Sequence, residues 1–359
     1  MKVYFLPDEK LKELIKVLKG LGKVFWSRER EITSTRESRT KIKIEELEED
    51  AIQDYRIPGF RSYDSFRTFL LPLRSKVAEY PDDEWIDIKN IKQKTVLLGL
   101  KACDLCAFSL LDKVFIEDPE FIDPFYKRRR QTLILITSDC TRAGKSCFCN
   151  LLGRTPYVTS NFDLNLSEIK DGYLIESGSE IGENILKNLS PVESNEEQIQ
   201  ERDKNRKNVM EELTAQNADF VEAFSNPDIL VSEGYKSEEG WNLGRTCVSC
   251  GACTNVCPVC YCFTLFDRSQ GEGKKSKRFR VWDSCQFKGF SQMAGGLNPR
   301  FPLMEQFKNR YYHKFFRFHE RYNEYKCTGC GRCIDNCLGD IDMREVLSGI
   351  KIEREKVNG

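Results

Sequence analysis

Residues 247–263 read CVSCGACTNVCPVCYCF, and residues 327–337 read CTGCGRCIDNC. In the first stretch Cys247, Cys250, Cys253 and Cys257 keep the spacing C-x2-C-x2-C-x3-C, with Pro258 next; Cys327, Cys330, Cys333 and Cys337 repeat it. Runs of this spacing hold [4Fe–4S] cubes: the first three thiolates occupy three corners of one cube, and the fourth crosses to the other. The rule assigns one cluster to Cys247, Cys250, Cys253 and Cys337. It assigns a second to Cys327, Cys330, Cys333 and Cys257. Gly251, Gly329 and Gly331 are expected at the cofactor, because a residue without a Cβ lets backbone approach it closely. Structural zinc on paired C-x2-C units is the competing reading, but it needs only four ligands per site and leaves the repeated run unexplained.

Two features depart from a compact pair of runs. Leu338 follows Cys337 where Pro258 follows Cys257, and residues 258–326 form a long insert between the runs. The insert carries Cys260 and Cys262, the basic stretch Lys274–Arg280, the segment Trp282-Asp283-Ser284-Cys285 and an aromatic, basic stretch at Tyr311–Arg321. Three readings of Cys260, Cys262 and Cys285 stay open: thiols beside a cluster, ligands of a separate metal centre, or alternative ligands of the two cubes. The basic stretch suits either a solvated loop or a docking patch for an acidic partner. Arg245, Lys326 and Arg332 adjoin cluster ligands, and there they would favour a reduced, more negative cluster.

Sixteen cysteines in 359 residues, 56 Lys plus Arg against 56 Asp plus Glu, and two histidines frame the rest. Zero net charge argues against nucleic-acid binding as the main task. The start of the chain lacks the pattern of a secretory signal, and no apolar run approaches the ~20 residues of a membrane helix. A cytoplasmic location is expected, where structural disulfides are rare and metal is the first explanation for so many thiols. His313 and His319 supply little for acid–base chemistry, and His313 is expected as a hydrogen-bonded interface residue. The acidic groups Asp82-Asp83 and Glu48-Glu49-Asp50 suit solvated loops. No nucleotide-binding glycine motif, G-x-S-x-G or H-E-x-x-H is present.

Residues 1–190 read as an α/β domain. Leu11, Leu14, Ile15 and Leu18 share a helix face that Gly20 ends. Val24–Trp26, Thr95–Leu100 and Thr132–Thr137 are strand-like, and a helix over Asp104–Phe115 makes a βαβ unit of the last two. Residues 191–240 are expected as a charged helical linker, solvated along 193–216. Residues 241–359 form an α+β ferredoxin-like dicluster domain with a long helical insert, 258–326.

Taken in order, CVSCGACTNVCPVCYCF, WDSCQFKGFSQMAGG, YYHKF and CTGCGRCIDNC resemble the beta subunit of cytoplasmic sulfhydrogenases. They resemble the A subunit of anaerobic sulfite reductase equally. The likeness reaches back through KACDLCAFSLLDKVF, DPFYKRRR and CFCNLLGRTP, which begin at residues 101, 123 and 147. It implies a non-catalytic, dicluster electron-transfer subunit. Such a subunit relays single electrons between a flavin-containing NAD(P)H oxidoreductase subunit and a catalytic hydrogenase or sulfite/sulfur reductase subunit.

The N-terminal cysteines fit a third [4Fe–4S] cluster. Neighbouring parallel strands deliver Cys103 and the Cys140, Cys147, Cys149 group to one end of a sheet, where open α/β folds place their sites. The family pattern matches Cys103, Asp104, Cys140, Cys147 and Cys149 and leaves out Cys106, which is expected as a buried helix residue. A catalytic subunit reducing a sulfur compound at a site-differentiated cluster near Cys260, Cys262 and Cys285 is the first functional alternative. A zinc-stabilised scaffold is the second.

Overall fold

A computed structural model of the chain describes residues 2–33, 38–48, 56–80, 88, 91–269, 271 and 275–352. Asp82, Asp83, Glu49, Asp50 and Lys274 lie outside the described residues.

The strands are β1 (Val3–Pro7), β2 (Lys23–Thr33), β3 (Ser38–Glu46), β4 (Arg74–Tyr80), β5 (Thr95–Leu100), β6 (Leu133–Ser138), β7 (Leu164–Ile169), β8 (Gly172–Ser177), β9 (Val192–Glu193), β10 (Phe263–Arg268) and β11 (Ser276–Trp282). Eight of them form one sheet in the order β3-β2-β5-β6-β7-β8-β1-β9. Its centre is parallel, β2 on β5, β5 on β6 and β6 on β7, and the remaining pairs are antiparallel. β5 (TVLLGL) and β6 (LILITS) are apolar on both faces because helices cover both.

On one face α1 (Leu11–Leu21) and α4 (Glu180–Leu189) bury Leu11, Leu14, Ile15, Leu18, Ile185 and Leu189 against Val96, Leu98, Ile134 and Ile136. The other face packs α2 (Ala102–Phe115) through Leu105, Phe108 and Leu111 onto Leu97, Leu100, Leu133 and Leu135. The expected βαβ unit is therefore β5-α2-β6. The first helix runs one residue past Gly20, to Leu21, its glycine lying in the helix with free space around it. α3 (Pro124–Thr132) starts on an Asp123 carboxylate that accepts from the Phe125 and Tyr126 amides.

The charged stretch forms α5 (Glu196–Gln216), opened by a reciprocal Asn195–Gln198 capping box. Its outer face is charged, as expected, but its inner face docks on the sheet. Arg206 Nε donates to Asp139 at 2.7 Å, Arg202 pairs with Glu176 at 3.0 Å, and Val209 and Leu213 bury against Cys147 and Cys149.

The C-terminal part comprises α6 (Pro227–Glu233), α7 (Ala252–Asn255), α8 (Leu303–Tyr311), α9 (Phe318–Tyr322), α10 (Arg332–Asp335) and α11 (Met343–Gly349). A π-helical segment, Tyr312–Arg317, joins α8 to α9. Trp241, Phe307, Tyr311, Phe315, Met343 and Leu347 form the core here. The insert is only partly helical. It begins with the β10–β11 hairpin, and β11 pairs antiparallel with β4 from the N-terminal part. Phe266 stacks on Phe279 with centroids 5.6 Å apart, and the Arg74 guanidinium lies 3.9 Å from the Phe279 ring. The basic stretch from Lys275 to Arg280 is thus mostly strand, with Arg278 bidentate to Asp267 at 2.8 Å. Among the described residues no helix is long and apolar enough to cross a membrane.

Candidate metal centre

The two cysteine runs adopt the same local backbone. Ser249 (φ 52°) and Gly251 (φ 70°) in the first correspond to Gly329 (φ 65°) and Gly331 (φ 69°) in the second, all left-handed. Each pair turns the chain twice within four residues. The Gly251 carbonyl then accepts from the Thr254 and Asn255 amides at 3.1 and 3.0 Å, and the Gly331 carbonyl from Ile334 and Asp335 at 2.9 and 3.1 Å. α7 and α10 follow and pack on each other.

The glycines also serve packing. A Cβ on Gly329 would overlap the backbone of Phe148 and Cys149, and one on Gly331 the Ser146 carbonyl. At Gly251 it would meet the edge of the Phe287 ring at 2.6 Å. Phe148 also donates its amide to the Gly329 carbonyl at 2.7 Å. The second run and the 146–149 loop are therefore locked backbone to backbone, which requires glycine whatever the loop encloses.

Cys247, Cys250, Cys253 and Cys337 line one cavity, with Cys333 at its wall. The fourth cysteine of the second run thus lies at the same cavity as the first three of the first run. Cys257 lies within electrostatic range of Cys327 and Cys333, and Cys333 in turn of Cys330. Burial holds Cys327 up at about 12 and Cys253 at about 11. Such thiols give up their protons when a metal takes the sulfur.

The N-terminal cysteines gather at the C-terminal ends of β5 and β6. Cys103 sits in the first turn of α2, immediately beyond β5, and Cys140 immediately beyond β6. Cys149 lies within electrostatic range of Cys140 and Cys147, and Cys103 of Cys140. This group abuts the second run: the Cys147 sulfur is 3.8 Å from the Cys330 carbonyl, and Cys103 lies in electrostatic range of Cys330. α5 closes the site through Gln216 and Asn217, whose amides donate to the Cys147 carbonyl at 2.6 and 3.0 Å.

Among the described residues, seven cations no more than 5% exposed stand around these thiols: Arg332 (0% exposed), Lys101 (1%), Lys326 (2%), Arg61, Arg67 and Lys314 (3% each) and Arg310 (5%). Lys314 Nζ is 3.3 Å from the Cys257 sulfur and donates to the Lys326 carbonyl at 2.8 Å. Arg61 Nε donates to the Cys330 carbonyl at 2.6 Å, and its guanidinium also meets Asp335. Lys101 Nζ donates to the Asp139 carbonyl at 2.8 Å, beside Cys140. Arg332 pairs at 2.8 Å with Asp104, itself 1% exposed. Carboxylates do not balance the set. Arg310 Nε and Nη2, Arg67 Nε and Arg332 Nη1 are buried without a hydrogen-bond partner. Buried positive charge of this density is costly without an anion among it. A cube with four thiolates is such an anion, so the donor set and its surroundings fit iron–sulfur clusters. Among the described residues no three Cys, His, Asp or Glu side chains converge closely enough to hold a single metal ion.

Of the basic residues named from sequence, Lys326 and Arg332 belong to this set and Arg245 is exposed. Lys101, Arg61, Arg67, Arg310 and Lys314 were not legible there; the one signal was the density of basic and aromatic residues around Tyr311–Arg321.

Cys260, Cys262 and Cys285 do not meet at one point. Cys260 touches Cys257 through its thiol, while Cys262 touches Cys285. The hydrogen bond from Cys285 pulls Cys262 down to about 6, with Lys326 and Arg67 adding their attraction. The hairpin creates the second pair: Phe263 faces Trp282, and the Cys262 carbonyl accepts from the Asp283 amide at 2.9 Å. Cys106 lies half-buried on α2 as a packing residue, with Arg154 Nη1 2.5 Å from its sulfur. His313 packs edge-on to Tyr261, centroids 6.1 Å apart, and the nearby Lys326 charge pushes it down to about 2, so it is neutral.

A family model described as a 4Fe-4S dicluster domain matches residues 246–341. The sulfhydrogenase 2 subunit beta of Pyrococcus furiosus is 30% identical over 260 residues, which is 72% of this chain and 74% of that protein. No solved structure matches.

Proposed function

Since the chain belongs to the 4Fe-4S dicluster family that includes a sulfhydrogenase beta subunit, we propose that it is the iron–sulfur electron-transfer subunit of a redox complex. It would relay single electrons between a flavin-containing NAD(P)H module and a hydrogenase-type catalytic subunit. The observation that carries the reading is the shell of seven buried cations, with unpartnered guanidinium nitrogens, around the cysteines. A catalytic acid–base site would not need that much fixed positive charge; a set of anionic clusters does.

Cys247, Cys250, Cys253 and Cys337 would hold one cube, Cys257, Cys327, Cys330 and Cys333 a second, and Cys103, Cys140, Cys147 and Cys149 a third. When bound, [4Fe–4S] groups supply one-electron storage without a change of ligands. The chain's own residues do the rest. Lys314 and Arg310 set positive charge beside Cys257 and Cys253. Arg61 and the Gly329–Phe148 backbone contact hold the N-terminal group against the second run. Cys250, in the first run, is the one exposed thiol of the sixteen and would mark the face at which a partner approaches.

Anaerobic isolation with iron and zinc analysis tests this. Three cubes give ~12 Fe per chain and two give ~8. Cys103→Ser should remove ~4 of the ~12 and leave the rest. Abundant zinc with little iron would overturn the electron-transfer reading, and unchanged iron in Cys103→Ser would overturn the third site.

A further inference from the structure

The insert between the two cysteine runs delivers a cation that belongs to neither run. Arg310, in the last turn of α8, lines the cavity that holds Cys247, Cys250, Cys253 and Cys337, with Cys333 on its wall. It is 5% exposed, and its Nε and Nη2 are buried with no hydrogen-bond partner. Burial works against its charge, yet the thiols of Cys253 in the first run and Cys333 in the second hold it above the usual arginine range. Lys314, four residues on, faces the other group: its Nζ is 3.3 Å from the Cys257 sulfur, and Cys327 lies within electrostatic range. α8 is fixed firmly enough to aim such a side chain. Phe307 packs edge-on to Trp241 with centroids 6.3 Å apart, the Gln306 carbonyl accepts from Gln286 Nε2 at 2.7 Å, and Lys308 Nζ donates to the Tyr235 carbonyl at 2.8 Å. A guanidinium desolvated to this degree, with donors left over, is costly unless an anion takes them.

We propose that Arg310 is a tuning residue shared by the two cysteine runs, one cation that raises the reduction potential of both groups they hold and so couples them. The inference rests on the electron-transfer function proposed above and adds the residue that ties the two groups together. The physical reason is the reach of a buried charge. Where solvent cannot screen it, its interaction falls only as the inverse of distance, so a cation between two sites acts on both. Each site gains one negative charge on reduction, and Arg310 favours that state at either. Its free Nε and Nη2 hydrogens are donors available to sulfur, and they act in the same direction. An electron passing from one group to the other therefore stays near the same cation. Loss of Arg310 lowers both potentials, whereas loss of Lys314 lowers chiefly the one held by Cys257. The role also gives the insert a task, since α8 and its arginine come from residues 258–326 and not from either run.

The test uses the full-length chain, isolated anaerobically with its iron, in a redox titration read by electron paramagnetic resonance. Each group is compared at the potential where it is half reduced in the unsubstituted chain. There Arg310→Met should cut the reduced-to-oxidised ratio at least about tenfold for two groups, and Lys314→Met chiefly for one. Arg310→Lys returns the charge without the planar fork and should restore most of both ratios. Iron, counted in every sample, should match the unsubstituted chain. A ratio that falls for one group alone in Arg310→Met would overturn the sharing, and full iron with neither ratio moved would overturn the tuning. Iron lost from both Arg310→Met and Arg310→Lys would make the residue a structural one and overturn the proposal as well. All three outcomes leave the electron-transfer reading standing. An unsubstituted chain that holds zinc in place of iron would overturn that reading, and this inference with it.

Discussion

Replacing Lys314 with methionine isolates the contribution of one buried charge. Its ammonium lies 3.3 Å from the Cys257 sulfur and is 3% exposed, so solvent and salt screen it little. Adding ~3 Å from that sulfur to the centre of the reducible group gives a separation of about 6 Å. At the effective dielectric of about 20 that suits buried sites, 332/(20 × 6) gives ~2.8 kcal/mol between unit charges. With about 59 mV for each 1.4 kcal/mol in a one-electron couple, Lys314→Met should lower the potential of the group held by Cys257 by ~120 mV. The sign follows from the loss of a cation that favours the more negative, reduced state. Methionine keeps the length of the side chain and its packing. It also leaves the Lys326 carbonyl without its 2.8 Å donor, a cost of about 1–3 kcal/mol to stability. The assay is an anaerobic redox titration followed by electron paramagnetic resonance, with iron counted in every sample. Lys207→Met, at a side chain 75% exposed on α5, serves as the control and should shift nothing. A shift smaller than ~30 mV with full iron, or a shift upward, would mean that Lys314 does not tune the site electrostatically as the Coulomb estimate requires.

Two packing predictions probe the scaffold. Gly331→Ala sets a Cβ against the Ser146 carbonyl at a left-handed residue and should cost about 2–4 kcal/mol, whereas Gly251→Ala meets only the movable Phe287 ring and should cost less. Thermal unfolding of the two variants reads the ranking, and equal midpoints would remove the loop-to-loop constraint. Asp104→Asn strands the Arg332 guanidinium in a site where neither side chain is more than 1% exposed, which should destabilise the chain by about 3–5 kcal/mol. Arg332→Met added to it should cost less than the two single losses together; additivity in the double-mutant cycle would show that the pair is not coupled.

How much of this was legible in the sequence depended on whether a feature is local. The left-handed Gly251 and Gly331 and the short helices after them follow from residues within one run, and the runs announced themselves. The N-terminal group was legible for a related reason. β5 and β6 carry unmistakable apolar signals, and parallel strands must end their chains on the same side, so Cys103 and Cys140 had to approach each other. The β10–β11 hairpin was missed because its strands, FTLFDR and SKRFRVW, are studded with charge. The partner that makes sense of them, β4, lies some two hundred residues earlier in the chain. α5 was read as solvated from its charged outer face, while the few positions that dock it, Arg202, Arg206, Val209 and Leu213, are too widely spaced to produce a periodic signal.

The buried cations were hidden for a deeper reason, and it bears on how the site works. Nothing in the residues next to Arg61, Arg67 or Lys101 distinguishes them from surface charges. Each is buried only by residues distant in sequence: Arg61 reaches Cys330 and Asp335, Arg67 the Asn255 and Cys260 carbonyls, and Arg332 reaches back to Ser62 and Asp104. Every one of these contacts crosses from the N-terminal part to the C-terminal part. Three of the seven cations are thus held across the seam between the two parts, while Lys101 and Lys314 bond within their own part, and the thiols lie on both sides of that seam. A charge contributed across a seam cannot be lost or moved by local fraying of one cysteine loop. For the function proposed above, that arrangement would keep the electrostatic surroundings of each thiol group fixed as an electron comes and goes, which is the condition for fast transfer with little reorganisation.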